Sequence, residues 1–456
     1  MLLVGLDIGT TAIKAVVFDE HGAALAEGRA ATPWSRSTRG VQLDASELFE
    51  AAVSALSDAL AVAPDGAVGS VGITSMGESG VLTGPDGKAL GPVIAWHDQR
   101  DLAELESLRE AMSEDVFSVR TGLPMREQWS LTKHRWLLTH VPETRRATMR
   151  LNVAEWAAFA LGGAPVSELS LASRTGWMDL ASRNWWNETL EWSGASRKLM
   201  PELVLAGTNL GAVSAKAGID RLTGAAITVA GHDHQAAVAG AGAYLAGDVL
   251  DSCGTAEALV RIIEPALSEQ TLLELTSSGI TAGWSVFDGK WTLLGGTQAG
   301  LVLRNALIML GLESTDIASL EAGPSGGSPL HATINARQEL TLHGATGATS
   351  PADIWRAALD AITGQAVDIH SLMTRAAGRP SRMVVTGGWS RSTALLQSKE
   401  KVFGALTVSP AQEAGARGAA LFGGLAAGLY GSIADFPSSP SLLRTSESAF
   451  QPEGVS

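Results

Sequence analysis

The pattern of apolar and polar positions at the start of the chain predicts strands followed by a helix. Apolar runs at residues 2–6, 12–18 and 24–29 have the length and composition of β-strands separated by tight turns. From residue 44 to 62 the apolar side chains recur at helical spacing, and Asp44 is placed to cap that helix. Three antiparallel strands followed by alternating helices and strands predict an α/β domain.

A second strand and turn later in the chain repeat the first. Gly9 and Thr10 coincide with Gly254 and Thr255 at one constant offset, and each pair follows an apolar strand. At that offset the Asp7 position is taken by Ser252, so only the first copy carries an acid. Internal similarity of this kind suggests two copies of one fold.

The rest of the pattern supports a second α/β domain. The strand at 384–387 echoes the one at 71–74, and helices are predicted at about 351–377 and at 393–403. We therefore predict domains at 1–243 and 244–436. Residues 437–456, rich in Ser and Pro, are expected to form a loose tail.

The amino-acid composition and net charge exclude some classes of binding partner. The 456 residues are too many for one ordinary core, and Asp and Glu exceed Lys and Arg by 47 to 33 with no dense basic cluster. This charge balance argues against a nucleic-acid partner or an anionic membrane surface. Cys253 is the only cysteine and no apolar run approaches the roughly 20 residues that span a bilayer. A soluble cytoplasmic protein is predicted, with a homodimer left open.

The turn after the first strand carries the first candidate chemistry. Asp7 at the strand end can face a hydrated Mg²⁺ ion, while Thr10 and Thr11 can donate hydrogen bonds to phosphate oxygens. Lys14 belongs to the same loop, and we assign it to phosphate binding as well. An ordinary hairpin turn would use the same residue types. The repeated Gly-Thr turn favours the phosphate interpretation, because two such turns can hold one polyphosphate.

Asp233 is the candidate catalytic group. It follows the apolar strand 226–230 and precedes a segment rich in Ala and Gly, where a strand should meet a helix. A carboxylate at such a junction can accept a proton from an attacking hydroxyl. His232 and His234 on either side also suggest a metal site, but no third ligand has a suggestive spacing.

A third group of polar residues lies in the first half of the chain. Glu78, Asp98 and Arg100 follow two apolar strands, at the ends where α/β folds place their ligands. Trp96 has the shape to stack on the apolar face of a sugar, although a core tryptophan is an equally good interpretation. These residues predict a small polar substrate.

Paired glycines provide a candidate nucleotide site in the second half. Gly387 and Gly388 lie between a predicted strand and a predicted helix, so a flat nucleobase can approach the backbone there. The segment 240–242 is a weaker candidate, because it lacks the third glycine of a dinucleotide-binding loop.

Taken in this order, the segments resemble the FGGY carbohydrate kinases, the family of xylulokinase, ribulokinase, fuculokinase and glycerol kinase. The resemblance extends from Leu3 to about Gly431. The segments that carry it are 7–14 and 252–255 (phosphate motifs), 72–78, 96–100 and 173–179 (first domain, sugar side), 231–235 (catalytic Asp), and 387–388 with 413–420 (adenosine side).

The resemblance implies two actin-like (ribonuclease H-like) ATPase domains around a central cleft, with the sugar against the first and ATP against the second. It implies ATP and Mg²⁺ as cofactors and Asp233 as the general base that receives the proton of the sugar hydroxyl. Positioning and charge neutralisation do most of the catalysis in such a phosphoryl transfer.

Two segments of the sequence bear on the identity of the substrate. Glu78 resembles the residue of glycerol kinases, whereas 96–100 resembles the ketose kinases, so we expect a xylulokinase-like ketose kinase with a glycerol- or erythritol-like polyol kinase as the alternative. The segment 328–349 is short for the family. A non-kinase actin-fold ATPase needs no sugar-side cluster, and a degenerate regulator needs neither Asp7 nor Asp233, so both are disfavoured.

Overall fold

The computed structural model describes residues 1–38, 40–324, 330–335, 337–438 and 443–444. Its contacts divide the chain into two compact units. The first consists of Met1–Gly240, Glu264–Thr292 and Glu413–Ser438, and the second of Ala241–Ile263, Leu293–Gln412 and the described residues after 438. Two segments of the second half thus pack with the first unit. The functional boundary predicted between 243 and 244 stays a prediction.

The strands and helices are as follows. The strands are β1 (Leu2–Ile8), β2 (Ala12–Phe18), β3 (Ala24–Ala31), β4 (Ser35–Ser37), β5 (Gly40–Leu43), β6 (Val68–Ser75), β7 (Gly80–Thr83), β8 (Val93–Ile94), β9 (Met149–Asn152), β10 (Val166–Glu168), β11 (Met178–Asp179), β12 (Asn184–Trp185), β13 (Glu202–Val204), β14 (Ala226–His232), β15 (Asp248–Cys253), β16 (Glu257–Ile263), β17 (Thr281–Trp284), β18 (Trp291–Thr297), β19 (His331–Ile334), β20 (Leu340–His343), β21 (Arg382–Thr386), β22 (Leu406–Val408) and β23 (Leu443–Arg444). The helices are α1 (Ala45–Val62), α2 (Leu102–Ala111), α3 (Glu114–Thr121), α4 (Ser130–His140), α5 (Val153–Leu161), α6 (Leu169–Ala172), α7 (Asn187–Ser193), α8 (Asp233–Ala241), α9 (Glu269–Ser277), α10 (Ala299–Leu310), α11 (Ile317–Ala322), α12 (Pro351–Ala377), α13 (Thr393–Phe403) and α14 (Ala414–Ala426). None of these helices is long and apolar enough to cross a bilayer.

The first unit is built on a five-stranded sheet in the order β14-β6-β1-β2-β3. Strand β1 runs antiparallel to β2 and parallel to β6, which confirms the predicted α/β arrangement. Helix α1 begins after Asp44, whose side chain accepts the backbone N–H groups of Ser46 and Glu47 as an N-cap should. The strand expected to end at Trp96 is wrong in extent, since β8 ends at Ile94 and Trp96 lies in the turn that follows.

Helix α14 packs on this sheet at very short range. Gly5 of β1 and Gly72 of β6 are paired in register. A Cβ at Gly5 would lie 1.8 Å from the carbonyl oxygen of Ala416, and one at Gly72 would lie 1.8 Å from that of Ala419. Only glycine permits the backbones of the helix and the sheet to approach so closely.

The second unit repeats the topology of the first. Its strands belong to a seven-stranded sheet in the order β17-β18-β16-β15-β21-β22-β23, in which β15 is antiparallel to β16 and parallel to β21. This repeats the pairing of β1 with β2 and β6 and confirms the internal repeat. Asp7 is paired with Thr74 and Ser252 with Thr386, so the echo predicted at 384–387 is displaced by one residue.

The short segment 328–349 and the C-terminal tail are described only in part. Within the short segment 328–349, β19 and β20 form an antiparallel hairpin in which His331 lies opposite His343. Residues 328, 329 and 336 lie outside the described residues, as does most of the predicted tail.

Candidate active site

The backbone just before Asp233 is bent to place this residue. The pairing of β14 with β6 shifts register between Val229 and Gly231, which is a β-bulge. Gly231 has φ +87°, and a Cβ there would lie 2.4 Å from the hydroxyl of Ser170. A bulge redirects the residues that follow it. Asp233 is therefore the first residue of α8, at the strand–helix junction that the sequence predicted.

Asp233 has an unusual charge environment. Its side chain is about a quarter exposed. Its Oδ1 accepts a hydrogen bond from the backbone N–H of His234 at 2.7 Å and lies 3.3 Å from Nε2 of His232. Burial, with the charge of Glu78, raises the pKa of Asp233 to about 7. Burial also lowers the pKa of His232 well below its usual value and that of His234 to about 4, so both imidazoles are neutral near pH 7. Among the described residues, neither histidine belongs to a group of three metal-binding side chains.

Asp7 and Asp233 form a pair of neighbouring carboxylates. Oδ1 of Asp7 is buried and has no hydrogen-bond partner in the part of the chain that the structure describes. Burial and then the charge of Asp233 raise the pKa of Asp7 to about 7. Oxygen ligands with uncompensated negative charge are what Mg²⁺ and Ca²⁺ prefer. These residues therefore fit a divalent cation.

The turn after β1 is held from several sides. Nε1 of Trp96 donates to the hydroxyl of Thr10 at 2.9 Å, and Nε1 of Trp34 donates to the Thr10 carbonyl at 2.6 Å. Lys14 forms an ion pair with Glu413 at 2.5 Å. Thr11 is exposed at the tip of the turn. The structure thus brings Thr10 and Trp96 together, two residues that the sequence had assigned to different ligands.

Close packing also fixes the segment that follows Glu413. A Cβ on Gly415, the second residue of α14, would lie 2.5 Å from Oδ2 of Asp7. The helix start that the sequence assigned to the adenosine side therefore touches the carboxylate of the first phosphate turn.

Glu78 has a strained backbone and a well-held side chain. It has φ +64°, which is rare outside glycine and costs about 1–3 kcal/mol. Its Oε1 accepts hydrogen bonds from Nε of Arg174 at 2.6 Å and from Nε2 of Gln128 at 3.0 Å. Its backbone carbonyl accepts a hydrogen bond from the hydroxyl of Ser130 at 2.5 Å. Strain that is maintained by such a network is typical of ligand-binding positions.

Asp98 and Arg100 are engaged with each other. Nε of Arg100 donates to Oδ1 of Asp98 at 2.8 Å, and Nη1 donates to Gln42 at 2.7 Å. Burial raises the pKa of Asp98, but the bonds from Arg100 and the N–H of Val41 lower it more, so the net change is downward. Among the described residues no hydrogen bond joins Asp98 or Arg100 to Glu78 or Asp233. Their role in substrate binding stays a prediction.

In the second unit the glycines gather around the Gly254–Thr255 turn. Gly387 has φ +94°, and a Cβ there would lie 2.5 Å from the carbonyl oxygen of Cys253. A Cβ on Gly300, near the start of α10, would lie 2.1 Å from the carbonyl oxygen of Gly254. Gly388 has open space around it and Thr255 is exposed. The arrangement leaves an accessible backbone surface beside a helix N-terminus, which suits a phosphate or a nucleobase.

A buried cluster of charges lies behind this second turn. Lys399 of α13 is fully buried and donates hydrogen bonds to both Asp251 and Glu257. Burial and then the charge of Asp251 raise the pKa of Glu257 to about 7. Asp251, Cys253 and Glu257 are close enough to hold a metal ion. The Lys399 ammonium already bonds to both carboxylates and offsets one of their charges, so this cluster is better described as a buried ion network.

Sequence reasoning missed several residues of these sites. It did not select Arg174 or Glu413 as site residues, although the family resemblance covered both segments, and it had no motif for Gln128. It also missed Gly300, although the run Gly295-Gly296-Thr297 before α10 resembles the glycine-rich junction that drew attention to Gly387.

Comparison with known proteins agrees with these features. Carboxylates beside a Gly-Thr turn, and a second such turn on a repeated fold, define a phosphotransferase of the actin-like α/β class. The models of the FGGY family of carbohydrate kinases match residues 2–240 (N-terminal domain) and 328–427 (C-terminal domain). The chain belongs to this family and is a sugar or polyol kinase. Kinases of this family use ATP as the phosphate donor.

The curated relatives include glycerol kinases of nearly the same length. That of Acidovorax sp. (strain JS42) is 31% identical over 94% of this chain and 91% of the relative. That of Bordetella parapertussis is 30% identical over 98% of this chain and 93% of the relative.

Solved structures confirm the fold at lower identity. The xylulose kinase of Brucella ovis aligns with a TM-score of 0.85 at 21% identity, covering 97% of this chain and 94% of the other. Plasmodium falciparum glycerol kinase, solved with ADP, aligns with a TM-score of 0.85 at 19% identity, covering 96% and 93%.

Proposed function

We propose that this chain transfers the γ-phosphoryl group of ATP to a hydroxyl of a small polyhydroxylated substrate, with Asp233 as the general base. The observation that carries the proposal is a partly exposed carboxylate, at a strand–helix junction, whose pKa is raised to about 7 and so lies close to neutral pH. A bond forms between the substrate oxygen and the γ-phosphorus as the bond to the ADP oxygen breaks. The hydroxyl proton passes to Asp233.

Asp7 would hold Mg²⁺ in this reaction. Its buried, unpartnered Oδ1 and the neighbouring charge of Asp233 support this role. When bound, the ion supplies charge neutralisation for the triphosphate. Asp7 itself sets the position of that charge beside the turn of Thr10.

The nucleotide contacts are assigned to both repeats. Hydroxyls and N–H groups of the turns donate to phosphate oxygens, and the open backbone at the paired glycines receives the base. Lys14 would exchange its ion pair with Glu413 for the phosphates. The residues assigned to ATP are Thr10, Thr11, Lys14, Gly254, Thr255, Gly387 and Gly388.

The finer identity of the substrate rests on Glu78, Trp96, Asp98 and Arg100. A ketose remains the prediction from the sequence, and glycerol-kinase relatives at about 30% identity over nearly the whole chain favour the polyol alternative. ADP release with xylulose, erythritol and glycerol distinguishes the two. ATP hydrolysis that neither these compounds nor any other sugar, sugar acid or polyol stimulates would instead favour a non-kinase ATPase.

Asp233→Asn tests the proposal. The amide keeps the size of the side chain but cannot accept the proton, so kcat should fall about 10²–10⁴-fold. Nucleotide affinity, measured by calorimetry, should be retained. Turnover close to wild type would remove Asp233 from the mechanism, whereas loss of ATP binding would reassign it as a metal or phosphate ligand.

A further inference from the structure

One arginine near Glu78 lacks a compensating partner. Arg126 is half-buried, and its Nε is buried without a hydrogen-bond partner. Among the described residues, no carboxylate or carbonyl accepts a hydrogen bond from its guanidinium group. Burial and then the charge of Arg174 lower the pKa of Arg126. A half-buried charge without a partner is unfavourable, so proteins rarely retain one unless a ligand completes it.

Arg126 shares its environment with a second arginine. The guanidinium carbon of Arg126 lies 5.2 Å from the ring centroid of Trp129, and that of Arg174 lies 5.5 Å from the same centroid. Arg174 is already neutralised by Glu78, at 2.5 Å. The side chain of Glu127, the other nearby acid, accepts Nε2 of Gln99 at 3.0 Å. One positive charge is therefore left unpaired on this indole ring.

Close contacts connect the surroundings of Asp233 to those of Arg126. A Cβ on Gly77, which precedes Glu78, would lie 3.0 Å from Cδ2 of His232, the neighbour of Asp233, and 3.1 Å from Cδ of Arg174. Arg174 in turn shares its indole ring with Arg126. A ligand whose reacting hydroxyl is at Asp233 would extend past Glu78 and place its other end near Arg126.

We infer that the substrate is a hydroxy acid of the sugar-acid type, with its carboxylate bound by Arg126 and its reacting hydroxyl at the opposite end. One unpaired guanidinium matches a single negative charge, and its planar fork suits a carboxylate. Glu78 and Gln128 are left to bind the intervening hydroxyls. This inference rests on the proposed kinase function, and it departs from the neutral ketose expected from the sequence.

Matched pairs of acids and neutral alcohols test the inference. ADP release by the full chain would be measured with gluconate and glucitol, xylonate and xylitol, and glycerate and glycerol, with xylulose added as a ketose. For the best pair, kcat/KM of the acid should exceed that of the alcohol about 10- to 100-fold, as expected for hydrogen bonds to a charged group. Arg126→Gln should remove most of the preference for the acid. The change should appear as a higher KM for the acid with kcat little changed, because the guanidinium group is far from the reacting atoms.

Two further variants make the result specific. Arg126→Lys keeps the charge and should retain part of the preference for the acid. Arg135→Gln removes another arginine stacked on a tryptophan, Trp192 at 4.5 Å, and should leave the preference unchanged.

The outcomes separate the inference from the proposed function. Turnover of a neutral compound in preference to every acid, unaffected by Arg126→Gln, would overturn the inference and leave the kinase reaction intact. Absence of ADP release with every compound would overturn the proposed function. In that case a thermal shift decides the inference, which stands only if an acid stabilises the wild type and not Arg126→Gln.

Discussion

The two Gly-Thr turns follow strands with the same pairing, but their neighbouring acidic side chains differ in position and in whether they have a partner. In the first, Asp7 at the strand end faces the site with an unpartnered oxygen. In the second, Ser252 takes that position, and the acids occur at Asp251 and Glu257 instead. At the offset of the repeat these two positions correspond to Leu6 and Ala12.

The difference follows from the alternation of side chains along a strand. Neighbouring residues point to opposite faces of a sheet, so moving an acid by one position turns it from the site to the core. Leu6 is fully buried, and its counterpart Asp251 is also fully buried. An acid on that face needs a partner, and Lys399 supplies it. Asp7 in the first repeat is therefore free to bind a ligand, whereas Asp251 and Glu257 in the second repeat form ion pairs within the fold.

Lys399→Met should produce the largest effect, because it leaves Asp251 and Glu257 buried without their cation. Removing one partner of a buried ion pair typically costs about 3–5 kcal/mol of unfolding free energy. Urea unfolding followed by tryptophan fluorescence measures it. Lys14→Met, which breaks a partly exposed pair, is the matched control and should cost about 1 kcal/mol or less. Equal losses for the two variants would show that the buried ion pairs of Lys399 contribute no more to stability than the partly exposed pair of Lys14.

Asp7→Asn and Ser252→Ala compare the two equivalent strand-end positions. We expect Asp7→Asn to lower kcat about 10²–10³-fold, as for the loss of one electrostatic group in a site, and to raise the Mg²⁺ concentration needed. Ser252→Ala should leave the Mg²⁺ requirement unchanged. A Mg²⁺ titration of turnover for both variants provides the measurement, and an unaltered titration for Asp7→Asn would refute its role.

The pH dependence of turnover should report the raised pKa of Asp233. Below about pH 7 the base becomes protonated, so kcat/KM should fall by about tenfold for each further pH unit. Asp7→Asn removes a neighbouring negative charge and should move this acid limb to lower pH. A pH–rate profile at fixed free Mg²⁺ checks both; identical limbs in the two proteins would show that the carboxylates do not interact.

The smallest expected effect is a gain in the stability of the metal-free protein on replacing Asp7 by Asn. The pKa of Asp7 is about 7 in the fold and lower in the unfolded chain, so its ionised form destabilises the metal-free fold above pH 7. That penalty declines as the pH falls from 7 towards 4. Asp7→Asn should therefore stabilise the metal-free protein, by an amount on the order of 1 kcal/mol at pH 8 and less at pH 5. Thermal unfolding of both proteins at the two pH values measures the effect. A lower stability of Asp7→Asn at both pH values would show that the ionised Asp7 does not destabilise the metal-free fold.

The local features of the site could be predicted from the sequence. Turn residues, strand alternation and helix caps act over a few residues, so the sequence located Asp7 and Asp233 at their strand ends and the bounds of α12 and α13. It could not show that Asp98 and Arg100 bind each other, because a strand end specifies where a side chain begins and not which partner it meets.

The sequence by itself determined the repeat, the α/β class and the family, because each is written in apolar periodicity and short motifs along the chain. Only the tertiary structure decided which charges are compensated. Arg174 meets Glu78 across 96 residues and Lys399 meets Asp251 across 148, while Nε of Arg126 has no hydrogen-bond partner among the described residues. Such pairings depend on how distant segments pack, and the low polarity of the interior makes each partner, or its absence, matter to stability and binding.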